Sequence, residues 1–122
     1  MKKFLILGGA GFIGYNLASK LSKNKKYEVH IVDNFSRGKF DKDFKVLSKL
    51  QNVKLKNIDL LKNSKNKFNK NYDYIFNLAA IIGVSNVMKF PYKVLINNVL
   101  IQSKALSIAK IQKNLKKFIF FS

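Results

Sequence analysis

Gly8, Gly11 and Gly14 stand at three-residue spacing directly after the apolar run Phe4-Leu5-Ile6-Leu7. A continuous apolar run of this kind suits a parallel strand covered on both faces. Gly8 lets the chain turn sharply without a side-chain clash. Gly11 leaves room for a diphosphate to approach the backbone, and Gly14 lets the following helix pack close to the strand. That helix is marked by Phe12, Ile13, Leu17, Ala18 and Leu21, read as one apolar stripe. Its first turn offers unpaired N–H groups and a positive dipole end, which together attract phosphate. Glycine-rich turns are common by themselves. A strand before and a helix after supply the context that makes this one a dinucleotide site. The amides of Gly11, Phe12 and Ile13 are therefore expected to face a diphosphate.

A second element supports the first. Tyr27-Glu28-Val29-His30-Ile31-Val32 reads as a strand, and Asp33 follows it, nineteen residues beyond Gly14. In an open α/β sheet the ligand lies at the carboxyl ends of the strands. A carboxylate there accepts hydrogen bonds from an adenosine ribose, at roughly 1.5–3 kcal/mol for charge-assisted bonds. The same charge repels a 2′-phosphate, which favours NAD over NADP, although Arg37 nearby softens the preference. The plainer alternative is that Asp33 caps a loop.

The rest of the chain alternates in the same way. The expected elements are strand 2–7, helix 12–23, strand 27–32, helix 42–50, strand 53–58, strand 73–78, helix 91–113 and strand 117–121. A loop spans 33–41, a polar segment 60–71 and another loop 79–90. Phe44, Leu47 and Leu50 share one face of the second helix. In the long helix Val94, Val99, Leu106 and Ala109 are assigned to the core, interrupted by Asn97 and Asn98, and Pro91 suits its first turn. Strands alternating with helices imply a parallel sheet with right-handed crossovers. The fold class is α/β, a Rossmann-type doubly wound sheet of order 3-2-1-4-5, and residues 1–122 form one domain.

Taken with Val32-Asp33-Asn34-Phe35-Ser36-Arg37-Gly38, the segment Gly8–Gly14 resembles the NAD-dependent epimerase/dehydratase family, the extended short-chain dehydrogenases that include UDP-glucose 4-epimerase. Further segments agree: Asp59-Leu60, Asn77-Leu78-Ala79-Ala80, Pro91 with Asn97-Asn98-Val99, and Phe118–Ser122. The resemblance implies that Asn34, Ser36 and Arg37 join Asp33 at the adenosine ribose. It places Asp59 and Leu60 beside adenine, Ala79 and Ala80 beside the diphosphate and nicotinamide ribose, and Asn98 near the cofactor. The family's usual glycine-threonine after the helix asparagine is replaced here by Ile101-Gln102.

The resemblance also implies a reaction: oxidation of a UDP- or GDP-linked sugar by NAD, epimerisation, dehydration or decarboxylation of the keto-sugar, and return of the hydride. A catalytic Ser/Thr and a Tyr-x-x-x-Lys pair carry that chemistry in the family. No tyrosine here has lysine four residues on. Ser122 reads as a strand terminus beside the catalytic position rather than the catalytic residue. The chain thus reads as an amino-terminal fragment, inactive alone and truncated after its fifth strand. The catalytic pair and substrate domain are absent from it, and a homodimer is expected at full length. An edge and a face left bare by such a truncation predict poor solubility or marginal folding.

Composition closes off other classes. The net charge is +18, yet 23 of the 24 basic residues are lysine, spread along the chain among 14 asparagines. Dedicated readers of nucleic acid favour arginine, whose planar fork suits bases and phosphates. No nucleic-acid site is expected, and a basic interaction protein is the remote alternative. A non-catalytic NAD-binding module or redox sensor is the nearer one. There are no cysteines and one histidine, His30, which is expected half-buried in the sheet rather than on a metal. The four-residue apolar start is far shorter than a secretion signal needs, and no run reaches membrane length. These features imply a cytoplasmic protein without a membrane span.

Overall fold

The computed structural model describes residues 1–34, 42–62, 68–79 and 88–121. Its elements are β1 (Lys2–Leu7), α1 (Phe12–Ser22), β2 (Tyr27–Asp33), α2 (Lys42–Ser48), β3 (Val53–Asn57), β4 (Tyr74–Asn77), α3 (Pro91–Lys110) and β5 (Lys117–Phe120). The five strands form one sheet in the order β3-β2-β1-β4-β5. Every neighbouring pair is parallel. This is the expected architecture, with helix ends shorter by one to three residues.

β1 lies at the centre because its side chains are apolar on both faces, and Phe4 through Leu7 are all buried. Alternation along the strand divides them between two cores. Leu5 and Leu7 join Val32, Ile58, Leu60, Phe68, Tyr72 and Ile75 beneath Ile101, Ala105 and Ile108 of α3. Ile6 joins Val29, Ile31 and Val53 beneath Ala18 of α1 and Phe44 and Leu47 of α2. Each fully buried Leu or Ile contributes about 1.5–3 kcal/mol, so this sandwich of sheet and helices is the main source of stability. Phe4 adds an aromatic contact with Tyr74, its ring 5.0 Å away and stacked.

Two helix readings are corrected. At 100° per residue Phe12 and Ile13 fall about 120° and about 140° round the helix from Ala18, both away from the buried face of α1. Phe12 is 85% exposed and Ile13 54%. The buried face of α1 is Gly14, Ala18 and Ser22, with Leu17 and Leu21 beside it. In α3 the core face is Ile101, Ala105 and Ile108. Val99 and Leu106, assigned to the core from sequence, are 59% and 50% exposed. α3 has two apolar faces, and hydrophobicity alone does not say which one meets the sheet. Nor is His30 half-buried: it is enclosed completely, because Tyr72 and Glu28 give its ring polar neighbours inside the sheet.

Candidate functional site

All parallel strands present their carboxyl ends along one edge, so the segments after β1, β2, β3 and β4 meet there. Gly8 N–H donates to Val32 O at 2.7 Å, Ile58 N–H to Asp33 O at 3.1 Å and Leu78 N–H to Leu7 O at 2.8 Å. These bonds extend the ladder into the loops and fix their starting directions.

The three glycines do three different things. Gly8 has φ +82°, and a Cβ there would lie 2.7 Å from Ala79 N, so both its conformation and its neighbour exclude a side chain. A Cβ on Gly14 would lie 2.5 Å from Gly9 Cα, which is how α1 comes so close to the turn. At Gly11 the nearest atom to such a Cβ is Gly8 O at 4.0 Å, so the absence of a side chain leaves open space. Gly9 escaped the sequence reading, yet a Cβ on it would meet Ile31 Cγ2 at 2.4 Å. The paired Gly8-Gly9 was the available signal.

Gly11 is the N-cap of α1 and supplies no side-chain cap, and the first turn carries no acidic residue. The N–H groups of the first turn thus keep their partial positive charge toward the open space beside Gly11. Asp33, at the last position of β2, accepts a hydrogen bond from Ala10 N–H at 2.9 Å through Oδ2. The turn after β1 and the acid after β2 are therefore one unit. An open cradle, bare amides and an adjacent carboxylate fit the diphosphate and ribose of a dinucleotide.

The other expected site residues fall as follows. Asn34 follows Asp33 at the same edge and is exposed. Asp59 accepts Leu61 N–H at 2.9 Å through Oδ1, which shapes the turn after β3. Leu60 turns inward to the core below α3 rather than outward. Ala79 packs against Gly8, and its N–H donates to Asn77 Oδ1 at 3.2 Å. Asn77 Nδ2 donates in turn to Gln102 Oε1 on α3. Asn98 is half-buried in α3. Ser36, Arg37, Ala80 and Ser122 lie outside the described residues.

A second polar cluster sits in the interior of the same sheet. His30 Nδ1 lies 2.6 Å from the Tyr72 hydroxyl. Nε2 lies 3.4 Å from Glu28 Oε2, and Lys3 and Lys54 flank the same carboxylate at 3.5 and 3.4 Å. With the carboxylate facing Nε2, the proton of neutral His30 belongs on Nε2, and Tyr72 donates to Nδ1. Burial pushes the His30 pKa down, against the upward pull of Glu28 and with help from Lys54 and Lys56. Burial alone would raise the Glu28 carboxyl, but His30, Lys3 and Lys54 outweigh it and hold the group below its ordinary value. Burial also raises the Tyr72 phenol, so it stays protonated. Among the described residues no group of three or more His, Cys, Asp and Glu is placed to hold a metal ion. No helix among them is long and apolar enough to cross a membrane.

The model of a protein family described as "NAD dependent epimerase/dehydratase family" matches residues 4–122. A UDP-N-acetyl-alpha-D-glucosaminuronate decarboxylase of Bacillus cytotoxicus is 40% identical over 88 residues, 72% of this chain and 26% of that protein. UDP-glucuronic acid decarboxylase 1 of Danio rerio is 33% identical over 109 residues, 89% of this chain and 25% of its own length. Among solved structures, UDP-glucuronic acid 4-epimerase from Bacillus cereus, in complex with UDP-glucuronic acid and NAD, superposes with a TM-score of 0.86. It shows 29% identity, over 98% of this chain and 40% of the epimerase. The chain thus spans about a quarter of the length of these curated relatives.

Proposed function

The chain belongs to the NAD dependent epimerase/dehydratase family, and on that premise we propose that it is the NAD-binding portion of an enzyme of nucleotide-sugar metabolism. The observation that carries the reading is the joined unit of turn and acid: an open cradle at Gly11 beside bare helix amides, tied to Asp33 through Ala10. In this reading the amides of Gly11, Phe12 and Ile13 hold the diphosphate, with Gly8 and Gly14 setting the turn. Asp33 and Asn34 hold the adenosine ribose, with Ser36 and Arg37 beside them. Asp59 and the backbone at Leu60 border adenine. Ala79, Ala80 and Asn98 line the nicotinamide side.

NAD, when bound, supplies the hydride acceptor for a sugar carbon. The chain's own part is to bind and orient it. The dipole of α1 offsets the diphosphate charge, and Asp33 fixes the ribose and disfavours a 2′-phosphate. The three relatives act on, or hold, a UDP-linked uronic acid derivative. A UDP-hexuronic acid is therefore the substrate class we assign to the whole enzyme. Epimerisation and decarboxylation share the same first step, oxidation of the sugar. We further assign the enzyme to the cytoplasm and to a homodimer, the latter supported by the outward apolar face of α3.

Titration calorimetry tests the reading. Saturable binding of NAD to the chain, with NADP at least tenfold weaker, is the expected result. No heat of binding with NAD overturns it. A second reading, an NAD-binding module without turnover, draws on the lack of any Tyr-x-x-x-Lys in these residues. It requires that no polypeptide containing the chain reduces NAD with a UDP-hexuronic acid.

A further inference from the structure

Position 102 is where the sequence departs from its family resemblance, and the structure gives that departure a geometry. We propose that Gln102 is a positioning residue. From α3 it fixes the Asn77 carboxamide, and through Asn77 it sets the backbone at Leu78-Ala79 against Gly8. The proposal rests on the NAD-binding reading for its functional consequence, but its geometry stands independently.

The bonds determine one another. Ala79 N–H is a donor only, so the Asn77 atom facing it at 3.2 Å is the carbonyl oxygen, Oδ1. The remaining Asn77 group is then the Nδ2 amide, which requires an acceptor. Asn77 is buried, so its amide needs a partner within the fold. Gln102 Oε1 is that acceptor. Without it, the orientation that keeps Oδ1 on Ala79 leaves a buried Nδ2 amide unsatisfied. The consequence reaches the turn after β1, because Ala79 N and Cα lie where a Gly8 Cβ would be, at 2.7 and 2.8 Å. The segment after β4 and the glycine turn thus pack backbone to backbone, and Gln102 holds one side of that contact. A threonine at this position is two bonds shorter in reach from the same helix. The longer glutamine spans the gap to β4 instead.

The test compares Gln102→Met, which keeps length and volume but has no comparable acceptor, with Gln102→Glu, which keeps an acceptor oxygen at the same reach. Hydrogen exchange of the Ala79 amide reads the clasp directly. It should lose protection about tenfold or more in Gln102→Met and recover to within about threefold of wild type in Gln102→Glu. NAD affinity should fall about tenfold in Gln102→Met while the melting midpoint stays high enough for a folded chain at 25 °C. Unchanged Ala79 protection in Gln102→Met overturns the proposal, as does a Gln102→Glu chain no better protected than the Met variant. If Gln102→Met fails to fold, Gln102→Asn takes its place, because its acceptor falls short of Asn77; the same loss of protection supports the clasp and unchanged protection overturns it. If the wild-type chain binds no NAD, the cofactor reading fails, and the exchange measurement still decides the clasp.

Discussion

The Asp33 carboxylate holds the backbone N–H of Ala10 at 2.9 Å, so the acid after β2 is bonded to the glycine turn after β1. One side chain thereby has two tasks. It shapes the turn, and in the proposed function it meets a ribose.

Replacing Asp33 with alanine should accordingly weaken NAD by about tenfold or more, the equivalent of about 1.4 kcal/mol. Asp33→Asn keeps an acceptor for Ala10 but loses the charge. It should bind NAD less tightly than wild type yet narrow the gap between NAD and NADP. Calorimetric titration of both dinucleotides checks this, and an Asp33→Ala chain with wild-type affinity removes Asp33 from the site.

The glycines separate folding from binding. Gly8→Ala and Gly14→Ala each force a methyl group into backbone within 3 Å. Each should cost about 2 kcal/mol or more, since the neighbours are main chain and cannot step aside. Gly11→Ala meets nothing closer than 4.0 Å, so stability should stay within about 0.5 kcal/mol. Its methyl group enters the open cradle, so NAD affinity should drop. Urea unfolding and titration on the three variants give the two patterns.

Acid should weaken the fold through His30. Its folded pKa lies below the ordinary value of about 6.5, so above that pH both states are neutral and the contribution is complete. As pH falls from about 6.5 toward the depressed folded value, the unfolded chain takes a proton that the native chain refuses. Stability then drops by at most about 1.4 kcal/mol per pH unit. Glu28, also depressed, adds a loss in the same direction once pH falls below about 4.5 and through its folded value. Denaturation at pH 7.5 and 5.5 should show the first loss in wild type. His30→Gln, which cannot titrate, should show a much flatter profile.

The outward face of α3 makes a prediction about assembly. Leu95, Ile96, Val99 and Leu106 are all exposed and fall within one arc of the helix, opposite Ile101, Ala105 and Ile108. Val99→Glu combined with Leu106→Glu should leave the melting midpoint nearly unchanged, because neither side chain enters the core. It should shift any self-association, read by sedimentation velocity, toward monomer. A wild-type chain that stays monomeric at all concentrations removes this face as a contact between copies.

How much of this was legible beforehand follows from the range of the forces. The glycine spacing, the apolar run of β1 and Asp33 at the end of β2 are local patterns, and each marks its place in the fold. Backbone sterics at Gly8 and Gly14 act over a few ångströms along a short stretch of chain. The alternation of strands and helices then leaves few topologies, and the sheet order follows.

What the sequence did not contain was which of two apolar faces of α3 turns inward. Val99 and Ile101 are equally hydrophobic, and only the crossover from β4 to β5 chooses between them. His30 and Tyr72 lie 42 positions apart, as Asn77 and Gln102 lie 25 apart. Such pairs become neighbours only when β2 and β4 flank β1 and α3 lies across them. A buried polar group must find a partner wherever the fold brings one, so those bonds belong to the tertiary structure, while the glycine turn after β1 belongs to the sequence.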